Sequence, residues 1–178
     1  MVIHDFVQKA MQSNDVLESE LLAARILSDK GLIVFSNLIK PVSESINDIE
    51  NNSDISDLII YKKGVKGLFF VEVKRLSSTN KLAYFTEAKD FINGVIIDGV
   101  RQYEKKLYTP YAYLIFNQPM TYYITIYTET FDNWRTIKTN GNSSTKDYYV
   151  ANVTDCKFEK TPNYKDDVLL TNINTVQE

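Results

Sequence analysis

The chain of 178 residues holds one cysteine, Cys156, and one histidine, His4. A single thiol closes no internal disulfide and supplies no thiolate zinc cluster. A single imidazole near the start removes most histidine-centred hydrolase chemistry, Ser-His-acid triads included. Glycine is scarce as well, and none of the six glycines sits in a P-loop or a dinucleotide fingerprint, so nucleotide-cofactor readings have no footing. No apolar run approaches the length of a membrane span, and the opening Met1-Val2-Ile3-His4-Asp5-Phe6 lacks the basic start and apolar stretch of a secretory leader. The expectation is a soluble, cytoplasmic protein.

Positive charge is also short. A net charge of −3 argues against coating nucleic acid through bulk potential and leaves only local clusters for phosphate contact. These are Lys62, Lys63 and Lys66, then Lys74 and Arg75, then Arg101, Lys105 and Lys106. Taken one at a time, each reads more simply as a solvated face.

What is present is a hydrophobic content of 44%, enough for one domain with a real core, and no internal repeat is visible. Residues 1–178 read as a single domain, with its core over about 14–130 and a C-terminal strand and polar tail over 131–178. From Ser13 or Asn14 to Lys30 the pattern is helical, with a capping residue at the start and Gly31 as the stop. Val16, Leu17, Ala23, Ala24 and Leu27 fall on one stripe with Glu20 in its middle, whereas Glu18 lies nearly opposite. Residues 32–38 read as a strand and 44–56 as a polar loop. Residues 83–91 fit either a short helix or an ordered loop, and a helix is predicted from Val95 or Asp98 to Tyr108, ending before Pro110. Residues 111–117, 122–128 and 148–153 are dense in β-branched and aromatic residues and read as strands. The aromatics between Tyr103 and Trp134 read as core rather than as a base-stacking surface.

The chemistry gathers in the middle of this pattern. Asp57-Leu58-Ile59-Ile60, the turn-rich residues 62–67 and Leu68-Phe69-Phe70-Val71-Glu72-Val73-Lys74 predict two antiparallel strands and a hairpin loop. The first acid then lies beside the second. Alternation puts Phe70, Glu72 and Lys74 on one face and Phe69, Val71 and Val73 on the other. Charged groups on so apolar a strand must be paired, hydrated or metal-bound. A hard divalent ion on Asp57 and Glu72, with the Val73 carbonyl as a third ligand, suits phosphodiester hydrolysis. Lys74 would hold the attacking water, and Glu20 would take a second ion or position water.

Asp57, Glu72-Val73-Lys74 and the two strands between them resemble the PD-(D/E)XK, or restriction-endonuclease-like, nuclease superfamily. More narrowly, Glu20-Leu21-Leu22-Ala23-Ala24-Arg25-Ile26-Leu27 followed by Gly31, together with Ser56-Asp57-Leu58-Ile59 and Phe70-Val71-Glu72-Val73-Lys74, is similar to small Holliday-junction resolvases. The resemblance covers about residues 14–76, and Ser56 stands where the motif name has proline. It implies an α/β fold with an α-β-β-β-α-β core, a central mixed sheet flanked by helices, and a Mg²⁺ requirement that Mn²⁺ can meet. It implies Asp57 and Glu72 as metal ligands, Lys74 as the catalytic lysine, Glu20 as the helix acid, and Gln102 as a match to a glutamine on the following helix. The function so implied is a DNA endonuclease, structure-selective in the manner of resolvases or of restriction and repair enzymes.

An RNA endonuclease on the same fold, a non-catalytic nucleic-acid-binding or regulatory module, and a subunit completed by a partner are the alternatives. Cutting two strands suits a symmetric homodimer, for which Leu22 and Ile26, off the main helix stripe, offer a contact.

Overall fold

The computed structural model describes residues 14–36, 56–140 and 145–164. His4, most of the polar 44–56 loop and the end of the tail lie outside the described residues. Helix α1, Asn14–Asp29, is followed by β1, Ile33–Ser36. Gly31 adopts φ 81° after the helix and its N–H bonds back to the Ser28 carbonyl, so the predicted stop is where the chain turns.

The hairpin forms as expected from β2, Leu58–Tyr61, and β3, Phe69–Arg75. Their antiparallel register pairs Leu58 with Val71 and Ile60 with Phe69. β3 outlasts β2, and along its full second half it pairs in parallel with β5, Ala112–Phe116. With β6, Tyr122–Tyr127, and β9, Cys156–Lys160, the main sheet runs β1-β2-β3-β5-β6-β9. It is a mixed sheet in an α/β architecture.

Both faces of this sheet are covered. On one, Ala23, Ile26 and Leu27 of α1 pack on Leu58, Ile60, Val71, Val73, Leu114 and Phe116. On the other, Tyr113, Ile115, Ile124 and Ile126 meet Phe85, Phe91, Val95 and Ile97. The last two belong to β4, Val95–Gly99, part of a three-stranded sheet ordered β4-β8-β7 with β7 as Arg135–Asn140 and β8 as Thr145–Ala151. Val71 and Val73 thus face the helix while Glu72 and Lys74 face the second sheet, the period-two alternation expected of β3.

Two expectations need correction, and one open choice is decided. The helix expected from Val95 or Asp98 to Tyr108 is instead β4 followed by the short helix α2, Val100–Lys105. The β-branched Val95-Ile96-Ile97 run pairs antiparallel with β8, with a bulge between Ile96 and Asp98, and that distant pairing overrides local helical spacing. Residues 83–91 are an ordered loop holding a single 3-10 turn, Ala88–Asp90, with Ala83 and Phe85 buried. Ile26, offered as a dimer contact, is 2% exposed in the core. Ser19 and Ile26 of α1 are buried, and among its described side chains Leu21 is a large apolar one left outside.

Two strands were not expected at all, β7 and β9, and both are edge strands whose polar residues face solvent. Gly94, just before β4, has φ 80°, and a Cβ there would collide with the Ala151 carbonyl and Val150. Only glycine lets the chain enter β4 this close to β8. No helix among the described residues is long and apolar enough to cross a membrane.

Candidate active site

Asp57 precedes β2 by one residue and is buried, 7% exposed. Leu58, the first residue of β2, pairs with Val71, and Asp57 lies one residue before it, at the Glu72 and Val73 level of β3. β2 begins only at Leu58, and ahead of it the Asp57 side chain serves as partner to β3: its Oδ2 accepts the Val73 N–H at 2.8 Å. That bond anchors the carboxylate between the positions of Glu72 and Lys74. Val73 meets Asp57 through its amide N–H.

Glu72 and Lys74 share the opposite face from α1, and a network of charges closes over them. The Lys74 ammonium donates to the Ile97 carbonyl and to Asp98 Oδ1, both at 2.7 Å. Asp98, at the end of β4, also accepts the Gly99 N–H at 3.0 Å and the Tyr113 hydroxyl at 3.2 Å. Tyr113 is the parallel-strand neighbour of Glu72 and so lies on the same face. Burial, followed by the charges of Asp98 and Glu72, pushes its hydroxyl well above the ordinary tyrosine range.

A second ammonium completes the network. Lys106 Nζ lies 3.0 Å from Glu72 Oε2 and 4.0 Å from Asp98 Oδ2, with its side chain 1% exposed. Two residues on, the Tyr108 ring stacks on Phe70 with centroids 4.6 Å apart. Residues 106–108 therefore track β3 from Glu72 back to Phe70. Two carboxylates and two ammoniums balance one another in a partly dry setting, which is what makes their burial tolerable.

Glu20 is buried on α1, as the stripe predicted, at 6% exposure. It belongs to the helix that packs on the Val71 and Val73 face, the other side of β3 from Glu72 and Lys74. Glu18 is exposed yet reaches Arg75 Nη1 at 3.3 Å, tying the start of α1 to the end of β3. Gln102 is exposed on α2, its amide lying against Gly99 so that a side chain at Gly99 would strike it. Among the described residues no group of three or more His, Cys, Asp and Glu side chains is placed to hold one metal ion. A pair remains, Asp57 and Glu72, and one or two carboxylates with retained waters are the donor set that a hard ion such as Mg²⁺ takes.

Asp98, Tyr113 and Lys106 were not singled out in the sequence as site residues. Asp98 had a signal: Val95-Ile96-Ile97-Asp98 is an acid closing an apolar run, like Phe69-Phe70-Val71-Glu72. In sequence Lys106 clusters with Arg101 and Lys105 as a basic face, but those two are exposed and Lys106 turns inward. The loop lysines Lys62, Lys63 and Lys66 are exposed. Arg75 is engaged by Glu18 and by the Gln118 carbonyl at 2.7 Å. Compared with protein-family models, curated proteins and solved structures, the chain matches none.

Proposed function

We propose that the protein is a Mg²⁺-dependent, structure-selective endonuclease that hydrolyses DNA phosphodiester bonds on a restriction-endonuclease-like core, with Mn²⁺ able to substitute. The observation that carries this reading is the Asp57 carboxylate bonded to the Val73 N–H, between Glu72 and Lys74 along β3, with the Lys74 ammonium held near it by the Ile97 carbonyl and Asp98. The order α1, β1, β2, β3, α2, β5, with β3 and β5 parallel, supports an α-β-β-β-α-β core into which β4 is inserted.

In this reading Asp57 and Glu72 hold the ion and the Val73 carbonyl adds a ligand, while Glu20 stays with α1 on the opposite side of β3. The bound ion would neutralise the non-bridging phosphate oxygens and supply an activated water. Lysine has three N–H donors. Two of those on Lys74 go to Ile97 and Asp98, which fixes the ammonium on the Glu72 face and leaves the third to hold the attacking water. Gln102, against Gly99 and next to Asp98, would steady the far end of that network.

Purified protein with Mn²⁺ or Mg²⁺ should nick or cut at least one of duplex, branched or single-stranded DNA, and Glu72→Ala or Lys74→Ala should abolish the cutting. Identical behaviour of wild type and both variants on all three substrates defeats the reading. A parallel RNA digest separates an RNA endonuclease from a DNA endonuclease.

A second reading, a non-catalytic nucleic-acid-binding or regulatory module, is favoured by the ion pairs Lys106–Glu72 and Lys74–Asp98, in which lysines of this chain compensate the two carboxylates. Calorimetry decides between them: absence of Mn²⁺ binding near millimolar ion favours the module.

A further inference from the structure

A lysine side chain 1% exposed is unusual and needs a reason. Asp98 does not supply it, because Lys74 already lies 2.7 Å from that carboxylate whereas Lys106 is 4.0 Å away. Glu72 is a close partner of Lys106. The lysine reaches it from a surface segment: Lys105 is exposed, and Leu107 and Tyr108 are about half exposed on its other side. Its four-carbon stem is flexible, so the ammonium can be displaced from the carboxylate.

We propose that Lys106 is a built-in counter-cation, holding Glu72 while no divalent ion is bound and leaving it when one enters. The inference rests on Glu72 being an ion ligand, as in the function proposed above. An ammonium and a divalent cation on the same carboxylate repel each other strongly where water is scarce. Each therefore excludes the other, and the affinity for the ion is set by competition with a side chain of the same protein. The pair also keeps Glu72 compensated and ordered between occupancies, so the site need not rebuild around the ion. Lys74 is exempt from the exchange because Asp98 and the Ile97 carbonyl hold it.

The test is calorimetric titration with Mn²⁺ alone, on full-length wild type, Lys106→Met, Lys106→Gln and Lys106→Arg, with thermal melting of each with and without the ion. Loss of the competing charge should tighten Mn²⁺ binding by about tenfold or more in the Met and Gln variants, while the Arg variant stays near wild type. Melting temperatures of the Met and Gln variants should rise more on Mn²⁺ addition than that of wild type, since the ion restores the partner Glu72 has lost. If the neutral variants are unfolded without ion, Mn²⁺ should fold them, as read by circular dichroism, and failure to do so overturns the proposal. Unchanged or weaker Mn²⁺ binding in the neutral variants, with binding intact in wild type, overturns the competition but leaves Glu72 as a ligand. No binding in any form at millimolar Mn²⁺ overturns both.

Discussion

The Lys106 ammonium sits 3.0 Å from Glu72 Oε2 in a position solvent barely reaches, so the acid at the centre of β3 is neutralised by a residue 34 positions later in the chain. Neighbouring Phe70 and Tyr108 stack in the same register, which makes residues 106–108 a strap across this face of β3. The two contacts reinforce one another: the rings fix the path of the strap, and the path delivers the ammonium.

Removing one member of this pair should cost more than removing both. Glu72→Gln in the ion-free protein leaves a buried ammonium short of a partner and should destabilise by about 3 kcal/mol. Adding Lys106→Met to it should return a large part of that loss. Urea unfolding of the wild type, both single variants and the double variant measures the coupling, and additive losses would show the pair to be energetically idle.

Tyr113→Phe should fold normally and lose about 1 kcal/mol, the value of one hydroxyl bond to the Asp98 carboxylate. Asp98→Ala should cost about 3 kcal/mol, since it strips Lys74 of its carboxylate and removes one lying near Lys106. Denaturant midpoints of the two variants check the order. Asp98→Ala should also blunt any DNA cleavage, because Lys74 would no longer be held in place.

Helix α1 offers a sharp contrast between adjacent turns. Ile26→Ala should cost about 3 kcal/mol, as the side chain is enclosed by the core, whereas Leu21→Ser on the exposed side should change stability by about 0.5 kcal/mol or less. Sedimentation of both variants would show whether any self-association uses the outer face of the helix. A dimer lost in Leu21→Ser would place its contact there.

Cys156 should be slow to react in the native protein. Burial, and secondarily the charge of Asp155, raises its thiol from 9.0 to about 12, so the thiolate is scarce near pH 8. A disulfide-exchange reagent such as DTNB should label it slowly until denaturant is added. The sign of the pH effect follows: below pH 9 the raised value costs nothing, and between pH 9 and about 12 the unfolded chain releases a proton that the folded chain keeps, so stability falls as pH rises. Cys156→Ala should remove that part of the alkaline slope in urea titrations.

The strand–loop–strand from Asp57 to Lys74 was legible because it is local. Alternating apolar residues, a glycine-bearing loop and an acid at the head of the first strand leave few registers, and a one-residue slip would turn Val71 and Val73 out of the core. Helix α1 was legible for a similar reason, its cap, stop and apolar stripe all lying within one segment. The position of Ile26 was harder, since the exact face a helix buries depends on what packs against it, here Val71 and Val73 of a strand read independently. Residues 95–108 failed because Val95-Ile96-Ile97 suits either period over so short a run, and pairing with β8 about fifty residues later settles the matter. β7 and β9 failed because edge strands carry polar side chains on the solvent face and lose the pattern that marks a buried strand.

From the order of its residues alone, this chain determined the hairpin and the shared face of Glu72 and Lys74, because each depends on spacing within a few residues and on the two-residue repeat of a strand. Tertiary structure alone decided that Asp98, Tyr113 and Lys106 close over that face while Glu20 stays on the other. Those residues arrive on separate elements whose positions depend on the packing of two sheets and a helix, and a charge reads as a surface group until its neighbours have enclosed it.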